Sequence, residues 1–428
     1  MSETINRRSA SENPFYIMAT IYGENTDEID FDLSDQNRDV WNAWACQGLS
    51  KDEKDDLQKT YPELMTYLGL IIPDWTEGLQ KTVNDAFAKR LPGGPIPDHN
   101  SHIDFKDTDF EHPVNFNGFL FLKEANFKNA QFKKDARFAL AVFLCFADFL
   151  ETKFTQDTAF LRARFTDHVD FFLSEFVGSA QFSNVEFTGA VNFLSSHFKA
   201  QSYFNAAIFK QSANFTDVSF DQPANFRGAR FVKYYPHLYG TDLHGKTTLT
   251  AKANHWPKVA EYPQNHEALE YAASSCAHLR HNMTAQGLPD EAHFFFRREM
   301  DLRLKLNQGL KKLPYWFFGV LSEYGYSYTR PLGWLIQLWL VWTLVYTPYF
   351  LSKAGVETLA TKTTALAKAA GLSFANIFAF FGFHSRFAEI EWSKASNWLI
   401  AFTGLETILG FILLFFLGLG LRNQFRLK

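Results

Sequence analysis

The chain has 428 residues, with Lys+Arg 42 against Asp+Glu 46 and a net charge of −4. That near-neutral balance disfavours a dedicated nucleic-acid binder, and a hydrophobic content of 46% excludes wholesale disorder. Three separated cysteines, Cys46, Cys145 and Cys276, argue against a disulfide scaffold and against a cysteine-based zinc site.

Residues 1–14 are polar, hold Arg7 and Arg8, and have no apolar run behind them. This is not the pattern of a secretory signal, so the chain is expected to begin in the cytoplasm. Residues 1–98 read as a mixed, partly helical region. Trp41, Trp44, Leu49, Leu57, Leu64 and Leu68 are spaced to line a helical face. Arg90-Leu91-Pro92-Gly93-Gly94-Pro95-Ile96-Pro97 breaks that pattern and marks a domain boundary.

A different rhythm starts at Phe105. Phe recurs in steps of five and six, strictly alternating, through Phe116, Phe127, Phe138 and onward to Phe231. The register holds 24 of the 47 Phe. Two residues before each stands a small or apolar residue: 11 Ala, five Val, three Ser, three Thr, Ile103 and Phe119. Neither a helical period of 3.6 nor a strand period of 2 makes this spacing. A short fixed repeat means a solenoid, with an inward Phe and a small inward partner on each side of a thin four-sided coil.

Runs such as Ala125-Asn126-Phe127-Lys128-Asn129 and Ala224-Asn225-Phe226-Arg227-Gly228 resemble the pentapeptide-repeat family. The resemblance implies a β-solenoid, a right-handed quadrilateral β-helix, over residues 99–235. With four sides per coil, 24/4 gives about six coils. The Phe ladder is scaffold, and any function lies on the outer faces. Some members of that family mimic DNA with a strongly acidic rod. Residues 105–231 hold Asp+Glu 14 against Lys+Arg 13, the wrong balance for such a mimic.

After Phe231 the rhythm stops, and Lys233-Tyr234-Tyr235-Pro236 is expected to begin a cap over the open coil edge. Residues 236–312 read as an α-helical connector. Leu269, Ala272, Ala273, Cys276, Leu279 and Met283 share a helical face, Gln286-Gly287-Leu288-Pro289 turns, and Asp290 is the expected N-cap of the next helix. The pairs His278/His281 and His99/His102 lack a third ligand within a motif, so no metal site is expected.

Residues 313–428 read as an α-helical membrane domain with two transmembrane helices. The run 332–351 carries no charge, has Gln337 as its main polar interruption, and places Trp334, Tyr346 and Tyr349 near its ends as interface aromatics. The run 398–421 carries one charge, Glu406. An ionisable group there is either a functional residue or a hydrogen-bonding partner of a neighbouring helix in the same or the next subunit. Gly410, Gly418 and Gly420 suit close helix packing or a hinge. Positive residues before the first span and after the second (Arg330, Arg422, Arg426 and others) predict that both termini are cytoplasmic, in the cell inner (plasma) membrane. Lys311-Lys312-Leu313-Pro314-Tyr315-Trp316-Phe317-Phe318 is expected to lie in the membrane interface. Between the spans, residues 372–383 are apolar but too short to cross, which predicts a re-entrant segment near 372–388.

This arrangement, with Tyr324-Gly325-Tyr326-Ser327-Tyr328-Thr329-Arg330-Pro331 ahead of the first span and Glu406-Thr407-Ile408-Leu409-Gly410 in the last, resembles a second family. It is similar to the two-transmembrane, potassium-channel-like domain fused to some bacterial pentapeptide-repeat proteins. The resemblance implies a filter at Phe381, Gly382, Phe383, His384 and Ser385, whose carbonyls would strip water from an ion. Here His384 stands for the family's second Gly and Ser385 for its Asp. Two spans cannot enclose a water path, so a pore needs self-association, with a homo-tetramer favoured. The expected function is an oligomeric ion-channel-like pore with a cytoplasmic β-helix as sensor or docking arm. The alternative is a membrane-anchored interaction scaffold whose channel-like domain does not conduct. No Walker loop, Gly-x-Ser-x-Gly elbow or His-Glu-x-x-His motif is present, so no enzyme activity and no cofactor are expected. The expected partners are the lipid bilayer, further copies of the chain and a protein on the β-helix surface, with no nucleic acid.

Overall fold

The structure, a computed structural model, describes residues 7–69, 71–354, 358–383 and 396–426. The chain forms two compact units, Met1–Phe295 and Phe296–Lys428.

The first unit is a four-sided β-solenoid of about seven turns. Its four parallel sheets have seven, six, seven and six strands. Each strand is two or three residues long, and within the Phe ladder each pairs with the strand 22 residues away, so Phe154 stands between Phe132 and Phe176. Like residues therefore stack on like. Ring centroids of Phe residues spaced 22 positions apart lie 4.4 to 5.3 Å from each other and nearly parallel, except for Phe116 and Phe138, which are tilted by 50°. Phe127, Phe160, Phe171 and Phe193 are fully buried, each contributing roughly 1.5–3 kcal/mol.

The corners have their own register. Asn129, Glu151, Leu173, Ser195 and Asp217, each two residues after a ladder Phe, have positive φ near 55°. Leu140, Arg162, Asn184 and Ala206 do the same on the opposite corner, where Gly118 and Gly228 occupy equivalent places. The backbone must turn left-handed there whatever side chain it carries.

The number of turns exceeds the six read from the ladder. Arg8–Ser9 adds a strand beside Thr108–Asp109, and Thr248–Leu249 adds one beside Asn225–Phe226. Neither carries a ladder Phe, so neither was visible in the rhythm.

The first edge is closed by helices α1 (Pro14–Ala19), α2 (Phe31–Ala45), α3 (Lys51–Thr60), α4 (Pro62–Leu68) and α5 (Glu77–Arg90). Asn42 on α2 acts as a substitute strand. Its Nδ2 donates to Gly118 O at 3.0 Å, and its Oδ1 accepts from Leu120 N at 2.9 Å. Trp41 Nε1 donates to Leu120 O at 3.0 Å. Edge groups that would pair with another chain are thus occupied. Cys46, Leu64 and Ile72 pack with Leu120, Leu140 and Val142, laying the α3–α4 segment over one sheet face.

The other edge is closed by Trp256, which stacks on Phe231 at 5.0 Å, and by Tyr235, whose hydroxyl donates to Pro257 O at 3.2 Å. Helix α6 (His266–Ala285) follows, with Ser275 Oγ donating to Pro236 O at 2.6 Å. Helix α7 runs Pro289–Leu306, so Asp290 lies in its first turn and is not the N-cap. Pro289 is pre-shaped for a first helical position and starts the helix one residue earlier.

The second unit contains α8 (Leu313–Ser322), α9 (Thr329–Ala354), α10 (Leu359–Ile377) and α11 (Asn397–Arg426). Two helices are long and apolar enough to cross a membrane, over Thr329–Lys353 and Asn397–Phe425. Only 17% and 28% of their most apolar stretches are buried. Leu340, Leu344, Ile408, Phe411 and Phe415 point outward. A soluble core helix would bury such residues.

Helix α10 packs against both long helices and begins at Leu359, well before the expected apolar segment at 372. Its first half is Ala- and Thr-rich, with a Thr358–Thr361 capping box. Ala365 and Ala369 are buried, while Thr364 and Lys368 face outward. The half-polar pattern concealed a helix whose small residues allow close approach. Ile377 packs with Leu335 and Leu413. A Cβ on Gly410 would lie 3.0 Å from Ile377 Cα, and one on Gly420 would lie 2.9 Å from Ser327 O, so both glycines serve close packing.

Candidate polar site in the helical unit

Glu406, on α11, is fully buried and meets side chains from α9 and α10. Tyr346 Oη on α9 donates to Glu406 Oε2 at 2.8 Å. Asn376 Nδ2 on α10 donates to the same oxygen at 2.6 Å and to Tyr346 Oη at 3.2 Å. The Ser373 hydroxyl, one helical turn before Asn376, donates to Glu406 Oε1. Ser373 also approaches Trp339 O at 3.3 Å, and Trp339 Nε1 donates to Ala370 O at 3.0 Å. The network therefore joins three helices through one carboxyl group. Its donors are all uncharged. A polar group in an apolar bundle is tolerated only when its hydrogen bonds are made inside, and this arrangement makes three.

Glu406 bonds Ser373 and Asn376 of the short helix in the same chain, a contact compatible with either role read for it in the sequence. Tyr346 is not an interface aromatic. It is fully buried and bonded to Glu406, while Tyr349, one turn on, is half-buried. Gln337 lies exposed on α9, outside this network. Sequence reasoning missed Ser373 and Asn376. The available signal was two polar residues three apart on one face of an apolar stretch, which is where an intramembrane acid finds donors.

Of the filter-like residues, Phe381, Gly382 and Phe383 follow the C-terminal end of α10, and His384 and Ser385 lie outside the described residues. Gly382 closes a single 3-10 turn, Ala379–Phe381, in the left-handed conformation with φ 71°. The rings around it cluster: Phe374 with Phe383 at 5.5 Å, Phe378 with Phe381 at 6.2 Å, and Phe381 with Phe383 at 6.1 Å. Phe381 is nonetheless largely exposed.

The outer faces of the solenoid carry ladders of polar side chains. On one sheet the outward residues are Asp104, Asn126, Asp148, Asp170, Asn192 and Asn214. Asn214 Nδ2 donates to Asn192 Oδ1, and Asn192 Nδ2 to Asp170 Oδ1, each at 3.0 Å. Burial pushes the Asp148 carboxyl above its usual range despite a bond from Leu150 N, and Asp170 adds to the rise. On another face, Lys153 and Lys199 both pair with Glu175. Burial works against ionisation of Glu175, but the hydrogen bonds of the two lysines outweigh it and hold the carboxyl below its usual range. Bonds thus run along part of each ladder, while Asp148 meets the like charge of Asp170. Among the described residues, no group of three His, Cys, Asp or Glu side chains is placed to hold a metal ion.

Fold and site together define a β-solenoid protein with a helical unit containing two helices of membrane-spanning length. Comparison of the chain with protein-family models, with curated proteins and with solved structures finds no match.

Proposed function

We propose that this is a membrane-anchored repeat protein of pentapeptide-repeat type, whose helical unit assembles into an oligomeric, ion-channel-like pore. The carrying observation is the Glu406 network, which holds a short helix between two long apolar ones. A short helix held between two membrane-length helices is the element that a pore of this kind requires. One copy supplies two spans and cannot surround water, so the reading calls for self-association, with a tetramer favoured. Both termini and the solenoid lie on the cytoplasmic side of the inner membrane in this reading. The solenoid then serves as a sensor or docking arm, with its polar ladders facing a protein partner. No enzymatic step, cofactor or nucleic acid enters.

His384 and Ser385 replace residues that a potassium filter needs, so the proposed pore is not potassium-selective. Purified protein in planar bilayers tests the reading, with stepwise currents that depend weakly on the choice of cation as the expected result. Folded, inserted protein that stays silent in every salt would remove conduction. The aromatic packing of Phe374, Phe378, Phe381 and Phe383 favours the second reading, a membrane-anchored interaction scaffold. A monomer in nanodiscs with a recoverable partner on the solenoid would decide for it.

A further inference from the structure

Helix α8 is apolar on two adjoining faces. One face is used: Leu321 packs with Leu335, Ile377 and Leu413, and Phe318 stacks on Phe416 at 5.7 Å. The other face is bare. Leu313, Trp316 and Phe317, at i, i+3 and i+4, are 42%, 48% and 49% exposed, and Leu310 just before them is 82% exposed. In water such a stripe is a liability.

Charge sets the character of the surface. From residue 302 to residue 322 the chain has no Asp or Glu. Lys311 and Lys312 are exposed and make no ion pair among the described residues. They stand at the N-terminal end of α8, where the helix dipole disfavours cations, and no acidic residue offsets them in the first turn. The bare stripe also continues onto neighbouring apolar surface. Trp334 Nε1 on α9 donates to Val320 O at 3.4 Å, and Trp334 is itself exposed.

We infer that α8 is a docking surface for the anionic headgroups of a bilayer. Leu310, Leu313, Trp316 and Phe317 enter the headgroup–acyl boundary, and Lys311 and Lys312 pair with lipid phosphates. Apolar burial supplies the attachment, and the two lysines supply selectivity for negatively charged lipid. A soluble protein partner would not explain why the bare stripe runs on into an exposed membrane-length helix. The inference rests on the membrane reading proposed above, and its test separates the two.

Nitroxide labels on Leu310→Cys and Phe411→Cys, in a Cys145→Ser background, are read for oxygen and nickel-chelate collision in nanodiscs. One set of discs is phosphatidylcholine and the other contains phosphatidylglycerol. The 411 label, in hydrocarbon in both sets, reports insertion. The 310 label moves from water to the interface when phosphatidylglycerol is present, and Lys311→Glu or Lys312→Glu lowers the interfacial ratio roughly fivefold per lysine. If the 310 label stays aqueous in both lipids, or is interfacial in both and indifferent to the glutamates, the inference falls while the membrane reading stands. If the 411 label is aqueous, both fall.

Discussion

Asn376 Nδ2 lies 2.6 Å from Glu406 Oε2, tying the short helix α10 to the long helix α11 through two fully buried side chains. Removing the amide strips one of three donors from a carboxyl group that has no water to turn to. Asn376→Ala is expected to destabilise the helical unit by about 1–3 kcal/mol. Ser373→Ala should act in the same direction. Thermal unfolding in detergent, monitored on the helical signal, measures both. Gln337→Leu is the control, because Gln337 is exposed and away from the network, and it should change stability by less than about 0.5 kcal/mol.

The solenoid core makes a sharper demand. Phe171 is fully buried and stacked between Phe149 and Phe193, each at 4.9 Å. Phe171→Ala opens a cavity in the middle of the stack, where no neighbour can collapse without leaving its own register. The expected cost is about 3–5 kcal/mol by denaturant titration. Gln181→Ala, on an exposed outer face, should stay within about 0.5 kcal/mol.

Leu173 holds a left-handed corner with φ 57° that Asn129 and Asn184 hold elsewhere in the coil. Its side chain is 46% exposed, so only part of it packs to offset the backbone cost. Leu173→Asn is expected to raise stability by up to about 1 kcal/mol. A fall in melting temperature would show that Leu173 contributes packing the corner needs.

Asp148 occupies a rung that Asn fills at 126, 192 and 214. Its carboxyl is held above the usual range by burial, so folding favours the protonated form. That stability is present in acid and is lost as pH rises through the folded-state value. Asp148→Asn removes the dependence. The variant should melt higher than the parent at neutral pH, by less than about 1 kcal/mol, and the two should converge on acidification. A constant gap across pH would rule the explanation out.

Glu175 has the opposite sign. Lys153 and Lys199 hold its carboxyl below the usual range against the effect of burial, so the stability it adds is present above the unfolded value and fades as pH falls through the folded one. Glu175→Gln should lower the melting temperature modestly at neutral pH and matter less in acid and in high salt, since these side chains are partly exposed.

The solenoid was legible because its code is local and repeated. One inward Phe every five or six residues, with a small residue two before it, describes a side of the coil wherever it occurs, and 24 repeats leave no alternative period. The long apolar helices were legible because length and absence of charge are properties of a continuous stretch. The end strands Arg8–Ser9 and Thr248–Leu249 were not, because pairing there depends on an edge that exists only after the ladder has folded. Asn42 closing the edge at Leu120 spans 78 residues of chain. Tyr346, Ser373 and Asn376 lie on two helices with a third contributing Glu406, and only packing brings them to one point. Periodicity within a segment is thus written in the chain itself. Which polar groups meet across segments is set by the close approach of helices, which small residues such as Ala369 and Gly410 permit and no local pattern announces.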